Sequence, residues 1–188
     1  MCAFYMNKYR IGSKRCRGFD YSSSGKYFIT ICTKNKIPYF GKIENGKMVL
    51  SEMGIFLYNE WLKTPAIRPD MNITLDEFVV MPDHFHAIII IGENRYNDIN
   101  IVDDRRNAMN GVSTNPQNNF HNEFAPQIKN LSSIIRGVKS TVTKYSKKIN
   151  IDFAWQSRFH DHIIRTNTEL HRIRKYILMN PKKCKSSS

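Results

Sequence analysis

The chain has 188 residues, 41% of them hydrophobic, and carries 29 Lys and Arg against 16 Asp and Glu, a net charge of +13. This length supports one domain with room for a large loop, and the apolar share is ordinary for a folded protein, which sets aside a disordered chain. So large a positive surplus points to a polyanion as partner, most often nucleic acid, over a merely basic surface.

The first 25 residues form a basic arm with Lys8, Arg10, Lys14, Arg15 and Arg17, too basic and too short in its apolar part for a signal peptide. "KYFITICTK" (26–34) is rich in β-branched and aromatic residues and predicts a strand. In "YFGKIENGKMVL", Asn45-Gly46 between apolar segments favours a tight hairpin turn. Ser51 can cap a helix running to about Lys63, with Met53, Phe56, Leu57 and Trp61 on one face and Pro65 and Pro69 ending it. "ITLDEFVVM" is the next strand, "PD" a turn, and "HFHAIIII" its antiparallel partner. Residues 92–126 turn Asn-rich and poor in large apolar side chains, as in a long insertion. Helical spacing returns with Ile128, Leu131, Ile135, Val138 and Val142, with lysines and Arg136 on other faces. "FAWQSRFHDHIIR" predicts a strand and "TNTELHRIRKYILMN" a last helix, with Thr166 and Glu169 suited to a capping box and Pro181 past its end. A basic tail (182–188) follows. Hairpin-linked strands mixed with helices suggest an α+β domain of ferredoxin-like (RRM-like) type, an antiparallel sheet with helices on both faces.

No apolar run reaches the length of a membrane span, since "AIIII" is strand-sized. Cys2, Cys16, Cys32 and Cys184 form no CxxC pair and no zinc-like spacing, which suits free thiols in a reducing compartment. The expectation is a cytoplasmic, nucleoid-associated protein with no membrane partner.

Within "FVVMPDHFHAIIII" (78–91), His84 and His86 stand two apart on a strand and so share a face, while Phe85 points the other way. Ala87, Ile89 and Ile91 continue Phe85's side; Ile88 and Ile90 continue that of the histidines. Both faces are apolar, so the strand is central and covered on both sides. Two imidazoles on such a strand make half of a metal site. They can equally be histidines at a strand mouth bonded to nearby backbone. The second pair, His160 and His162, flanks the charged Asp161 and is the weaker metal candidate; these rings can touch DNA or simply be solvated, and His162 is kept as a neighbour of the site. Tyr176 and Asn180 lie four apart on the last helix and share a face. An amide oxygen there could complete a site with two imidazoles, a phenol beside it. Alone, "YILMNP" reads as a half-buried aromatic and a helix-end asparagine.

Taken together, "GFDYSSSGKYFITICT", "FVVMPDHFHAIIII", "WQSRFHDHIIR" and "RIRKYILMNP" resemble the single-tyrosine HUH transposases, nearest the REP-associated tyrosine transposases. The resemblance covers nearly the whole chain outside the insertion. It implies that His84 and His86 bind a divalent cation, that Tyr176 is the nucleophile, and that Asn180 is the third ligand. It implies an enzyme that nicks single-stranded DNA beside hairpins and becomes joined to the 5′ phosphate, which the freed 3′ hydroxyl can later attack. Relatives commonly carry a tryptophan shortly after "NP", where this chain has "NPKKC".

The chemistry suits these residues. A phenol with a pKa near 10 is a poor nucleophile unaided, and a bound cation polarises the scissile phosphate. Mixed N/O ligation accepts Mg²⁺ or Mn²⁺; imidazole favours Mn²⁺ and cellular abundance Mg²⁺. No thiolate or carboxylate ligand supports zinc. A phosphotyrosine stores the broken phosphodiester's energy, so no nucleotide cofactor is needed, and no GxxxxGK[ST] loop occurs. DNA contacts are expected from Lys14, Arg15 and Arg17, from Tyr21 by base stacking, from Arg136 and Lys139, and from Arg172, Arg174 and Lys175 around Tyr176. The rival readings are a non-catalytic module for structured single-stranded DNA or RNA, and a zinc-stabilised structural protein using His160 and His162. The domain can act alone or as a homodimer.

Overall fold

The structure, a computed structural model, describes Tyr21 and residues 23–97 and 129–183. Lys14, Arg15, Arg17, the rest of the arm before Tyr21, most of the insertion and the tail from residue 184 lie outside the described residues.

The elements follow in the order β1 (Gly25–Cys32), β2 (Gly41–Glu44), β3 (Lys47–Leu50), α1 (Glu52–Leu62), α2 (Thr64–Ile67), β4 (Ile73–Val80), β5 (His84–Ile91), α3 (Leu131–Lys148), β6 (His160–Ile164) and α4 (Asn167–Lys183). Four strands form one sheet in the order β4-β5-β1-β6, every pair antiparallel. The hairpin β2–β3 stands apart as a second sheet. Asn45 and Gly46 both have positive φ, 50° and 72°, as a type I′ hairpin turn requires.

Alternation along β5 sorts its side chains between two cores, as its sequence predicts. Phe85, Ala87, Ile89 and Ile91 enter the larger core with Leu57 and Trp61 of α1 and Ile134, Ile135, Val138 and Val142 of α3. Ile88 enters the smaller core on the opposite face, with Ile164 of β6 and Leu170, Ile173 and Ile177 of α4. Helices therefore cover both faces of an α+β sheet.

Local chemistry explains the boundaries. The Ser51 hydroxyl accepts from Gly54 N–H at 3.1 Å and starts α1. Gly54 is required there, because a Cβ would lie 2.2 Å from the Phe40 carbonyl oxygen. Asn130 caps α3 in a reciprocal box with Ser133. The Thr166 hydroxyl accepts from Glu169 N–H at 3.1 Å, but the Glu169 carboxylate reaches Arg165 N–H and His162, not the capping N–H.

Four expectations need adjusting. Pro65 does not stop helical structure but sits in the first turn of the short α2, where its missing N–H costs nothing. Only His160–Ile164 of the stretch 153–165 is a strand. Phe153 and Trp155 instead pack with Phe40, ring centroids 5.7 and 5.4 Å away. Pro181 lies inside α4, not past it; in the last turns a proline forfeits a single ladder bond. Residues 92–97, assigned to the insertion by composition, are tied to the turn before β4: Asn94 Nδ2 donates to Met71 O, and Tyr96 Oη to Asp70.

Candidate active site

The smaller core brings the site together. Ile173 and Ile177 of α4 bury against Ile88 and Ile164. On β5, His86 shares Ile88's face, two residues away. On α4, Tyr176 borders the buried stripe. Seating that stripe delivers the phenol to the imidazole: Tyr176 Oη lies 3.2 Å from His86 Nε2. Phe28, opposite Ile88 on β1, fills the diagonal position. Its ring stacks on His86 (centroids 5.4 Å, 26°) and meets Tyr176 edge-on (6.1 Å, 87°).

The two imidazoles are adjacent, ring centroids 4.6 Å apart. In each, Nδ1 is taken by a side chain rather than by backbone. His84 Nδ1 bonds Asp83 Oδ1 at 2.5 Å, and His86 Nδ1 bonds Thr30 Oγ1 at 2.8 Å. An ionised carboxylate only accepts, so Nδ1 of His84 donates to Asp83, and Nε2 is the ring nitrogen that Asp83 does not engage. His86 is 6% exposed. Burial, reinforced by the charges of His84 and Lys36 and opposed by Asp83, pushes its pKa down to about 3. It is therefore neutral near pH 7, the form that donates to a metal. Burial works to raise the Asp83 carboxyl, but its bond to His84 and the charges of His84 and Lys36 outweigh that and hold it below the usual range.

Asn180 follows Tyr176 by one turn of α4 and is half-buried. Among the described residues no three of His, Cys, Asp and Glu gather in a metal cluster.

The other sequence candidates fall at several places. His162 sits opposite Phe28 across β1–β6, with Nε2 2.7 Å from Glu169 Oε1. His160 is exposed on the edge strand, opposite Thr30, in the same cross-strand row as His86. Tyr21, expected to stack on bases, is 6% exposed in the larger core beside Tyr27, which leaves no open ring face. Arg174, expected at phosphates, forms a two-pronged pair with Asp76 at 2.8 and 2.6 Å. Lys139 Nζ donates to Gln156 O at 2.7 Å over the Trp155 ring. Arg136, Arg172 and Lys175 are exposed, Arg172 and Lys175 on the helix that carries Tyr176.

Sequence reasoning missed Thr30, Asp83 and Phe28. Asp83 precedes His84 directly and could have been read as its acceptor. Thr30 and Phe28 are visible only once the strand register is known.

No protein-family model matches the chain. The fold is that of a REP-associated tyrosine transposase solved bound to a REP hairpin: TM-score 0.54, 20% identity, 95% of this chain and 74% of that one. A candidate transposase from Deinococcus radiodurans R1 is looser, at TM-score 0.37 and 16% identity over 88% of this chain and 95% of that one. By sequence the chain belongs to the family of an uncharacterized Haemophilus influenzae protein, 35% identical over 170 residues, 90% of this chain and 87% of that protein. No helix among the described residues is long and apolar enough to cross a membrane.

Proposed function

We propose that the protein is a transposase that nicks and rejoins single-stranded DNA beside hairpin-forming repeats, through a 5′-phosphotyrosine on Tyr176 and with a divalent cation held by His84, His86 and Asn180. The observation that carries this reading is the 3.2 Å approach of Tyr176 Oη to His86 Nε2, beside a second imidazole whose Nδ1 is also engaged by a side chain, Asp83. The donor set fits a cation such as Mg²⁺ or Mn²⁺: two imidazole nitrogens and an amide oxygen, with Asp83 and Thr30 fixing ring orientation behind them. Such an ion, when bound, polarises the scissile phosphate.

The protein's own part is positional. Phe28 and His86 pack against the Tyr176 ring and limit its orientations, which lowers the entropy cost of in-line attack. The Tyr176 oxygen bonds to phosphorus and the P–O3′ bond breaks, its electron pair leaving with O3′. The phenol proton goes to solvent and O3′ takes one up. One phosphodiester replaces another, so no nucleotide is consumed. The REP hairpin bound by the structural neighbour supports hairpin DNA as substrate. The exposed Arg136, Arg172 and Lys175, and Lys14, Arg15 and Arg17 of the arm, would meet its phosphates. A nucleic-acid enzyme of this kind works at the nucleoid.

The test is a denaturant-resistant adduct with single-stranded hairpin oligonucleotides. Wild type forms it in Mg²⁺ or Mn²⁺ and not in EDTA, and Tyr176→Phe forms none. An adduct that survives Tyr176→Phe overturns the nucleophile. Tight hairpin binding with no cleavage in either metal leaves the non-catalytic binding module instead.

A further inference from the structure

The turn after β1 holds a strained lysine that this chemistry leaves unused. Asn35 and Lys36 both have positive φ, 57° and 60°. That backbone costs a lysine free energy and persists where the surroundings impose it. Thr33, 1% exposed, imposes it. Its hydroxyl is shared between Ile37 O at 2.9 Å and Asp83 O at 3.0 Å, and its N–H donates to Asp83 O at 2.9 Å. One buried side chain thereby locks the 34–37 turn to the segment bearing Asp83.

The result sets Lys36 Nζ 3.5 Å from Asp83 Oδ2 and 3.6 Å from Cys32 Sγ. Asp83 is the carboxylate that holds His84, and Cys32 faces His84 in the β1–β5 register. Lys36 thus stands on the histidine side of the sheet, near enough for its charge to act on His86. An ammonium has three N–H donors, and Cys32 and Asp83 account for two. The Lys36 side chain stays 57% exposed, so the third can meet a ligand.

Electrostatics says which ligand. His84, His86 and Asn180 bring no negative charge to a cation, and Asp83 balances only Lys36. A lysine here works against a bound cation unless an anion completes the site. We propose that Lys36 binds a phosphate of the DNA strand that crosses this site. The inference rests on the reading above and adds a substrate-contacting residue to it. As a compact point charge, an ammonium suits a single non-bridging phosphate oxygen.

The experiment titrates Tyr176→Phe protein, which leaves strands intact, with hairpin oligonucleotides in Mn²⁺. A neutral methylphosphonate replaces one phosphate at a time along the single-stranded flanks. With Lys36 present, affinity falls about tenfold at one position, as expected for losing one charge-assisted contact. Adding Lys36→Gln weakens binding to the unmodified strand by a similar factor and erases the loss at that position alone; Lys36→Arg restores it. Mn²⁺ affinity without DNA, read by calorimetry, is no lower for Lys36→Gln than for its parent, because losing the ammonium relieves its repulsion of the cation. A methylphosphonate profile unchanged by Lys36→Gln overturns the inference. So does a fall in Mn²⁺ affinity with Lys36→Gln, which would make Lys36 a prop for Asp83. Failure of wild type to form any adduct sinks the nicking reaction but not a Lys36-dependent profile; failure to bind hairpin strands at all sinks both.

Discussion

Asp83 and Thr30 decide what His84 and His86 can do, because each fixes one ring through Nδ1. Such partners typically govern metal affinity by 10–100-fold. Thr30→Val keeps the β-branched shape that suits a central strand but removes the hydroxyl bonded to His86 Nδ1. His86 Nδ1, in a ring 6% exposed, is then left unsatisfied at a cost of about 1–3 kcal/mol. The expected outcome is a folded protein with a lower melting temperature and Mn²⁺ affinity reduced on the order of tenfold, read by calorimetry. Unchanged affinity would show that Thr30 does not orient the ring. The HxH spacing was legible because strands have a period of two. Thr30 was not, since it lies 56 residues away and meets His86 only through register. Arg174 shows the same limit from the other side: among clustered cations, nothing marked the one whose partner, Asp76, is 98 residues distant.

At the scale of elements, α4 governs the site because it carries Tyr176 and Asn180. Its apolar stripe seats it on the sheet, and Arg174, two residues before Tyr176, pins it to β4. The pin depends on an irregularity: the β4–β5 register shifts between Leu75 and Phe78, at Asp76 and Glu77. A bulge re-aims side chains, and Asp76 is left 9% exposed beneath the guanidinium. Asp76→Ala strips two charge-assisted bonds from Arg174 and is expected to cost about 1.5–3 kcal/mol, read by chemical denaturation, and to slow adduct formation. Stability loss with an unchanged rate would mean that the stripe alone places Tyr176. A second pin holds the chain around the insertion: Asp70 Oδ2 accepts from Tyr96 Oη at 2.6 Å and Lys129 Nζ at 2.7 Å, with Arg95 3.6 Å away. Hydrogen bonds from Lys129 and then Tyr96 lower its pKa from 3.8 to about 2. A lowered acid pKa stabilises the fold above its unfolded value, and the effect is lost as pH falls through the folded one. Wild type should therefore exceed Asp70→Asn in stability above pH 3.8, and the gap should close toward pH 2. A gap that stayed constant over that window would deny Asp70 its charged role. The helices and hairpin were legible from caps, stripes and the Asn-Gly turn, since these signals are local. The bulge, Pro181 inside α4 and the irregular course of 153–159 depend on distant packing.

For the whole molecule, the decisive relation is between the two ends of β5. His84 opens the strand at the site and Ile91 closes it beside the insertion. Seven steps of about 3.4 Å separate these ends by roughly 24 Å. Arg95 and Tyr96 before segment 98–128 and Lys129 after it converge on one carboxylate, so the flanks of the segment are held close together by residues outside it. A link of about ten Gly and Ser residues, spanning roughly 17 Å on average, can then join Asn97 to Lys129. Closing a short loop instead of a longer one changes the closure entropy only slightly, by about 0.6 kcal/mol per doubling. The shortened protein should keep its melting temperature within a few degrees, as calorimetry would read. Its adduct yield on a bare hairpin should match wild type, because His84, His86 and Tyr176 lie at the far end of the sheet. A protein that folds yet fails to form the adduct would show that segment 98–128 takes part in holding the DNA, and the basic surface of the described domain would then be insufficient on its own.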